Sequence, residues 1–175
     1  MALKIAPIKP DDEDDWSIVV YSDSDYAGDR ETRVSIAGFV IYLLGVPISW
    51  KSKGMKSVAL SSSEAEYVAL SEAAKEVKFI YQVLRSMGVK VKLPIVVRVD
   101  NIGAIFMAEN VAVSQRTKHI DVRYCFVQEF VMDGFLKIIF VRTGDNHADI
   151  FTKNLSGDLH EKHRDKMVIP KGSVK

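Results

Sequence analysis

The stretch Trp-Ser-Ile-Val-Val-Tyr-Ser-Asp at residues 16–23 decides the fold. Its apolar side chains occupy both alternating faces, which is typical of a strand that is covered on both sides of a sheet. The stretch ends in Ser-Asp-Ser-Asp at residues 22–25, so a carboxylate, Asp23, stands at the carboxyl end of the strand. We therefore predict a central strand whose end presents an acidic group.

The segments that follow predict an α/β fold. Residues 34–44 and 46–51 are strand-like, and Gly45 and Pro47 mark the tight turn of an antiparallel meander. The later predicted elements are a helix at 61–87 ended by Gly88, a strand at 95–100, a helical turn or two at 102–109, a helix at 118–132, a strand at 135–142 and a short helix at 147–155. This order predicts a mixed sheet in which the first strand is central and parallel to the fourth.

Composition and charge fit one globular domain. The chain has 175 residues, 47% of them apolar, and a net charge of +1 at pH 7. Residues 1–15 predict a flexible acidic leader, residues 16–155 the domain, and residues 156–175 a partly helical tail. The apolar runs are too short for a membrane-spanning helix, and the single Cys125 excludes an internal disulfide and a cysteine-built metal site. We expect a soluble monomer in a reducing compartment.

Two aspartates end neighbouring strands of the predicted sheet. Asp23 and Asp100 each follow an apolar stretch, and the carboxyl ends of strands are where open sheets present ligand-binding groups. An aspartate at a strand end can also simply open a turn, and the two positions alone do not decide between these roles.

The position of Glu66 favours a functional site over turn-forming aspartates. It lies in helical register with the apolar stripe of the first helix and therefore faces the sheet, whereas Glu72 and Glu76 lie on the opposite side. A reciprocal cap between Ser63 and Glu66 is an alternative, but Ser61 and Glu64 have the same spacing and can cap the helix instead.

Asp149 is the least secure of four candidate carboxylates. It falls in the first turn of the last predicted helix, where any acidic residue is favoured by the helix dipole. The preceding strand should lie beside the Asp100 strand, and residues 143–146 would return the chain to that edge. A site of carboxylates alone selects hard cations such as Mg²⁺ or Mn²⁺, and two such ions about 4 Å apart can support phosphodiester cleavage.

Six spaced motifs now point to a known family. They are Tyr-Ser-Asp-Ser-Asp-Tyr-Ala-Gly-Asp at 21–29, Ser-Trp-Lys-Ser-Lys at 49–53, Ala-Leu-Ser-Ser-Ser-Glu-Ala-Glu-Tyr-Val-Ala-Leu at 59–70, Val-Asp-Asn at 99–101, Arg-Thr-Lys-His-Ile-Asp at 116–121 and Ala-Asp-Ile-Phe-Thr-Lys at 148–153. In this order they resemble the ribonuclease H domain of copia-type LTR retrotransposon Pol polyproteins. The resemblance implies a ribonuclease H-like fold with strand order 3-2-1-4-5.

The resemblance also implies a catalytic and metal-binding set and a reaction. The family's order Asp, Glu, Asp, Asp carries over onto Asp23, Glu66, Asp100 and Asp149, which would hold two Mg²⁺ or Mn²⁺ ions. Asp25 is the alternative first ligand; Asp23 is preferred because it keeps the family's spacing to Gly28. The implied substrate is the RNA strand of an RNA/DNA hybrid, the implied partner the reverse transcriptase polymerase domain, and the implied location a cytoplasmic retrotransposon particle.

Substrate contacts are expected around this centre. The resemblance places Ser62 and Ser63, at the opening of the first helix, against the hybrid, with Asp25 and Asn101 beside them. Basic residues that could hold the phosphate backbone are Lys51, Lys53, Arg116, Lys118 and His119, each of which could equally be a solvated surface group. His147 is a candidate auxiliary residue in place of the mobile-loop histidine of cellular relatives, or else a structural histidine.

Two other functions compete with the nuclease. A transposase or integrase core of similar fold carries a late Glu, whereas Glu66 comes second in the chain. A catalytically weak or inactive connector that only binds nucleic acid or a polymerase would be expected to lose carboxylates, and all four are present. The sequence therefore favours a metal-dependent hybrid endonuclease.

Overall fold

A computed structural model describes residues 2–3, 15–28, 31, 33–56, 59–110 and 118–169. Its main sheet consists of β1 (Ile18–Asp25), β2 (Ile36–Leu43), β3 (Val46–Gly54), β4 (Ile95–Val99) and β5 (Leu136–Phe140). The strand order is β3-β2-β1-β4-β5, with β1 antiparallel to β2 and parallel to β4. The predicted order 3-2-1-4-5 and the central position of the first strand are therefore confirmed.

Helices cover both faces of the sheet. They are α1 (Ser62–Ser86), α2 (Ile102–Glu109), α3 (Lys118–Met132) and α4 (Gly157–Met167), with 3₁₀ helices at Thr143–Asp145 and His147–Phe151. One apolar core forms between the sheet and α1, and it includes the fully buried Val20, Leu70 and Val97. A second, smaller core with Val40 and Ala148 lies on the other face. No described helix is long and apolar enough to cross a membrane.

The first helix begins at a reciprocal cap. The Ser61 hydroxyl accepts a hydrogen bond from the Glu64 amide at 3.2 Å, while the Glu64 carboxylate accepts one from the Leu60 amide at 2.7 Å. Ser61 and Glu64 therefore cap α1, as their spacing predicted, and Glu66 is left free for another role. The helix ends at Ser86, and Gly88 follows with φ of +79°, a conformation that favours glycine.

Several element boundaries differ from the sequence prediction. Pairing with β2 continues to Asp25↔Ile36, so Asp23 lies inside β1 and not at its last residue. Trp16 belongs to a separate two-residue bridge, Asp15–Trp16, which is parallel to Lys90–Val91. The predicted helix at 147–155 is a shorter 3₁₀ helix, His147–Phe151, and the Thr152 amide donates to the Asp149 carbonyl three residues earlier, as in this type of helix.

The C-terminal segment, predicted as a partly helical tail, contains one regular helix. Helix α4 occupies 157–167 and buries His163 and Met167, which are 1% and 8% exposed. Val168–Ile169 then pairs antiparallel with Ala2–Leu3. Residues 1, 4–14 and 170–175, which include most of the predicted leader, lie outside the described residues.

Candidate metal centre

Three carboxylates from three elements meet at one edge of the sheet. Asp23 on β1, Glu66 on α1 and Asp100 directly after β4 each offer an oxygen, and these oxygens lie within 4.8 Å of one another. The parallel pairing of Tyr21 with Arg98 explains part of this, because two residues further on each strand bring Asp23 and Asp100 to the same level. We call Asp23, Glu66 and Asp100 the carboxylate cluster.

Glu66 enters the cluster with one oxygen bound and one oxygen free. Its Oε1 accepts hydrogen bonds from the Ser24 amide at 3.1 Å and the Ser24 hydroxyl at 3.0 Å. Its Oε2 is buried and has no hydrogen-bond partner among the described residues. A buried carboxylate oxygen without a donor is costly unless a cation or proton satisfies it, so Oε2 fits the role of a metal ligand.

Asp149 adjoins the carboxylate cluster through a lysine. It is 3% exposed, and its Oδ1 lies 3.1 Å from Lys153 Nζ, one turn further along the chain. The same ammonium lies 2.8 Å from Asp23 Oδ1 and 4.0 Å from Asp100 Oδ2. The Thr152 hydroxyl donates a hydrogen bond to the second oxygen of Asp23. The structure thus brings together all four predicted carboxylates, three in direct proximity and Asp149 across the Lys153 ammonium.

Burial and mutual repulsion raise the pKa values of three carboxylates, those of Asp23, Glu66 and Asp149. Burial, opposed by Lys153 and reinforced by Asp149, raises the pKa of Asp23 to about 7. Burial together with the charges of Asp23 and Asp100 raises the pKa of Glu66 to about 8, and burial likewise raises the pKa of Asp149. Divalent cations would relieve this repulsion, so an all-oxygen donor set of this charge fits Mg²⁺ or Mn²⁺.

Asn146 fixes the loop that carries Asp149. Its side-chain amide is fully buried and donates to the Ser22 carbonyl on β1 at 3.0 Å, while its Oδ1 accepts from the Ala148 amide at 3.2 Å. The first contact ties the loop to the strand of Asp23, and the second caps the 3₁₀ helix that contains Asp149. Asn146 therefore positions the carboxylate of Asp149 relative to that of Asp23.

His147 packs with aromatic rings and not with the carboxylates. Its ring stacks on Tyr21 with centroids 4.1 Å apart, and its Nδ1 lies 3.0 Å from the Tyr42 hydroxyl. His163 from α4 meets it edge to face at 5.9 Å. Burial, followed by the charges of His163 and Lys166, lowers the pKa of His147 to about 4. We call Tyr21, Tyr42, His147 and His163 the aromatic cluster.

The polar residues expected to touch substrate fall into different settings. Ser63 donates to Asn101 Oδ1 at 3.1 Å, and that oxygen also accepts from the Ala104 amide at 3.0 Å, which caps α2. Ser62 is exposed in the first turn of α1. The carboxylate of Asp25 lies against Gly28, where a side-chain Cβ would come within 1.8 Å of it. Ser63 and Asn101 are therefore joined beside Asp100, whereas Asp25 turns into its own loop.

The basic residues are spread over two regions. Lys51 pairs with Glu72 at 3.3 Å. It also lines a groove of about 110 Å³ with Ala37, Phe39, Lys53, Gly54, Met55, Lys56, Val68 and Glu72. Lys118 and His119 open α3, but their side chains, like all of Arg116, lie outside the described part of the chain.

Sequence reasoning did not assign four residues that shape the centre. They are Ser24, Asn146, Thr152 and Lys153. A signal existed for Lys153, because its spacing of four from Asp149 is that of a helical ion pair and it closes one of the quoted motifs. For Ser24 and Asn146 no local signal distinguishes them from turn residues.

The chain is similar to segments of transposon proteins. It is 37% identical over 153 residues to a retrovirus-related Pol polyprotein from transposon RE1 of Arabidopsis thaliana, a match that covers 87% of the chain. It is 43% identical over 133 residues, 76% of the chain, to the corresponding polyprotein from transposon TNT 1-94 of Nicotiana tabacum. The matched segment makes up about 10% of the length of each relative. No protein-family profile matches the chain.

Solved structures with the same fold are ribonucleases H and a reverse transcriptase. LC11 ribonuclease H1, solved in complex with an RNA/DNA hybrid, superposes with a TM-score of 0.57 at 18% identity, over 77% of this chain and 93% of that one. A foamy viral protease-reverse transcriptase in complex with dsDNA superposes with a TM-score of 0.52 at 16% identity. This match covers 78% of this chain and 92% of that one.

The five-stranded sheet and its flanking helices have the ribonuclease H-like fold. The sequence relatives show the family: the chain belongs to the copia-type transposon Pol polyproteins, as its motifs predicted, and forms the segment with this fold.

Proposed function

We propose that this chain is an endonuclease that hydrolyses the RNA strand of RNA/DNA hybrids during retrotransposon reverse transcription, with two divalent metal ions. The observation that carries the proposal is the carboxylate cluster, with its oxygens within 4.8 Å of one another and the buried, unpartnered Oε2 of Glu66. An oxygen-only cluster of this kind suits hard cations.

The four acidic residues would divide the work of the centre. Asp23 would contribute to both metal ions; Asp100 and Asp149 would hold the side of the attacking water, and Glu66 the side of the leaving group. When bound, Mg²⁺ or Mn²⁺ supplies an activated water and charge stabilisation at the leaving 3′ oxygen. Thr152 and Ser24 hold Asp23 and Glu66 in place by hydrogen bonds.

Hybrid recognition would depend on duplex geometry. Ser63 and Asn101 join the openings of α1 and α2 beside Asp100, and Ser62 is exposed next to them, so small polar groups surround the centre. Such groups can contact 2′-hydroxyls and phosphates without reading base edges. Lys51, Lys53, Arg116, Lys118 and His119 would add phosphate contacts, and sequence preference would be weak.

The decisive assay uses labelled substrates of four kinds. The 175-residue chain is incubated with RNA/DNA hybrid, single-stranded RNA, duplex RNA and duplex DNA, each with Mg²⁺, with Mn²⁺ and with chelator. We expect cleavage of the hybrid's RNA strand alone, only with metal, and its loss in Asp23→Asn. Intact hybrid under every metal condition, or equal cleavage by Asp23→Asn, contradicts the proposal.

The remaining proposals concern context. Because the matched segment is about a tenth of each relative, a polymerase domain in the same polyprotein is the proposed partner and a cytoplasmic retrotransposon particle the proposed location. Hybrid binding without cleavage would instead favour the connector function.

A further inference from the structure

We infer that Lys153 is the built-in counter-ion of the metal centre: its ammonium holds Asp23, Asp100 and Asp149 together without metal and competes with divalent cations for their oxygens. The inference rests on the proposed function, because it assigns a regulator of metal occupancy to the same site.

The ammonium lies where three carboxylates converge. Lys153 Nζ is 2.8 Å from Asp23 Oδ1, 3.1 Å from Asp149 Oδ1 and 4.0 Å from Asp100 Oδ2. The side chains of these aspartates are 0%, 4% and 8% exposed, whereas Lys153 is 29% exposed. Three nearly dry carboxylates thus share one cation that still reaches solvent.

Asp23 has both of its oxygens occupied. Lys153 binds Oδ1 and the Thr152 hydroxyl binds Oδ2. A metal ion that takes Asp23 as ligand therefore has to displace at least one of these donors. Displacing the ammonium breaks two short ion pairs at once, because Asp149 Oδ1 loses the same partner.

The two carboxylate oxygens of Glu66 differ in their hydrogen bonds. Its Oε1 is held by Ser24 and its Oε2 has no hydrogen-bond partner among the described residues. A cation beside Glu66 would meet an oxygen that no described residue holds, whereas a cation beside Asp149 would have to displace Lys153. Competition from Lys153 should therefore weaken the binding of a divalent cation more strongly beside Asp149 than beside Glu66.

Removing the competing charge should change stability and metal affinity in opposite directions. Without Lys153 the buried aspartates lose their cation, so the metal-free fold is less stable. The same loss frees the oxygens for metal, and two ligands that exclude each other are coupled reciprocally. Lys153 thereby lowers metal affinity and stabilises the metal-free fold.

The test compares Lys153→Met and Lys153→Arg with the wild-type 175-residue chain. Mn²⁺ binding is measured by calorimetry, and thermal melting is followed in chelator. For Lys153→Met we expect Mn²⁺ to bind about tenfold more tightly, within the usual range of site-to-site coupling, and melting in chelator at a lower temperature. Lys153→Arg keeps the charge and should stay near wild type in both.

Lys75→Met is the matched control. Lys75 pairs with Glu72 at 2.9 Å on the exposed side of α1, so its loss should change neither Mn²⁺ affinity nor melting measurably. If Lys153→Met fails to fold, Lys153→Gln, which keeps a donor without the charge, serves the same comparison.

The outcomes separate the two proposals. A wild-type chain that binds no Mn²⁺ overturns the metal centre and, with it, the competition. Wild-type binding with unchanged or weaker affinity in the uncharged Lys153 variants overturns only the counter-ion inference. A melting temperature in chelator that is the same for Lys153→Met and wild type also contradicts the counter-ion inference.

Discussion

The carboxylate cluster and the aromatic cluster are neighbours in sequence and opposites in chemistry. Asp23 and Tyr21 are two residues apart on the same strand, and Asp149 and His147 are two residues apart on the same 3₁₀ helix. One cluster buries charged groups that repel one another, whereas the other buries rings around a neutral histidine.

The difference shows where this fold retains unfavourable groups. The pKa of Glu66 is raised to about 8 by burial and by its acidic neighbours, which means that without metal the ionised site opposes folding. His147 instead has a hydroxyl partner and a stacked ring, and its lowered pKa keeps it neutral. Groups that oppose folding cluster at functional sites, so we expect a functional role for the carboxylate cluster and a structural role for His147.

Replacing Glu66 should give the largest effect. In Glu66→Gln the free oxygen loses its charge, so metal-dependent cleavage of the hybrid should fall by about a hundredfold or more. The fold should persist in chelator, because a neutral amide relieves the repulsion. Glu76→Gln is the control on the same helix, since Glu76 contacts Ser49 and not the cluster. Equal cleavage by the two variants would contradict the assignment.

Stability without metal should fall as pH rises. Asp23 and Glu66 have folded-state pKa values of about 7 and 8, against about 4 in an unfolded chain. Between pH 4 and 8 the folded state therefore binds more protons than the unfolded chain, and the free energy of unfolding decreases steadily over this range.

Urea unfolding at several pH values, in chelator and in saturating Mg²⁺, checks this dependence. Mg²⁺ should flatten it, because the ion replaces the protons. Glu66→Gln should remove part of the dependence in chelator. If the free energy of unfolding in chelator rose with pH, the carboxylate cluster would not oppose folding, and the contrast with the aromatic cluster would be wrong.

Replacing His147 should affect stability and spare catalysis. His147→Ala removes the stacking on Tyr21 and leaves the Tyr42 hydroxyl without its partner, which should cost about 1–2 kcal/mol of unfolding free energy. Hybrid cleavage at saturating Mg²⁺ should stay within about fivefold of wild type. A larger loss of cleavage with full stability would give His147 an auxiliary catalytic role after all.

Tyr42→Phe should give the smallest effect. It keeps the ring in the second core and removes only the hydroxyl that lies 3.0 Å from His147 Nδ1. We expect a loss of about 1 kcal/mol in urea unfolding and no change in Mn²⁺ affinity. A change in Mn²⁺ affinity would mean that the aromatic cluster is coupled to the carboxylate cluster.

The sequence alone predicted the central position of the first strand and the face of α1 on which Glu66 lies. Alternation and helical period are local properties, so they could be recognised in the strand at 16–23 and in the stripe that carries Glu66. The end of α1 could likewise be predicted, because Ser61, Glu64 and Gly88 act on residues close to them in the chain.

Tertiary structure decided where the second 3₁₀ helix sends its side chains. With three residues per turn, His147 and Asp149 point in different directions, and only packing against β1 and β2 turns one toward Tyr42 and the other toward Lys153. The contact of Lys153 with Asp23 spans 130 positions, so no local pattern could announce it. Local periodicity thus predicted the face that Glu66 occupies, while long-range packing determined where Asp149 points and which cation the carboxylates meet.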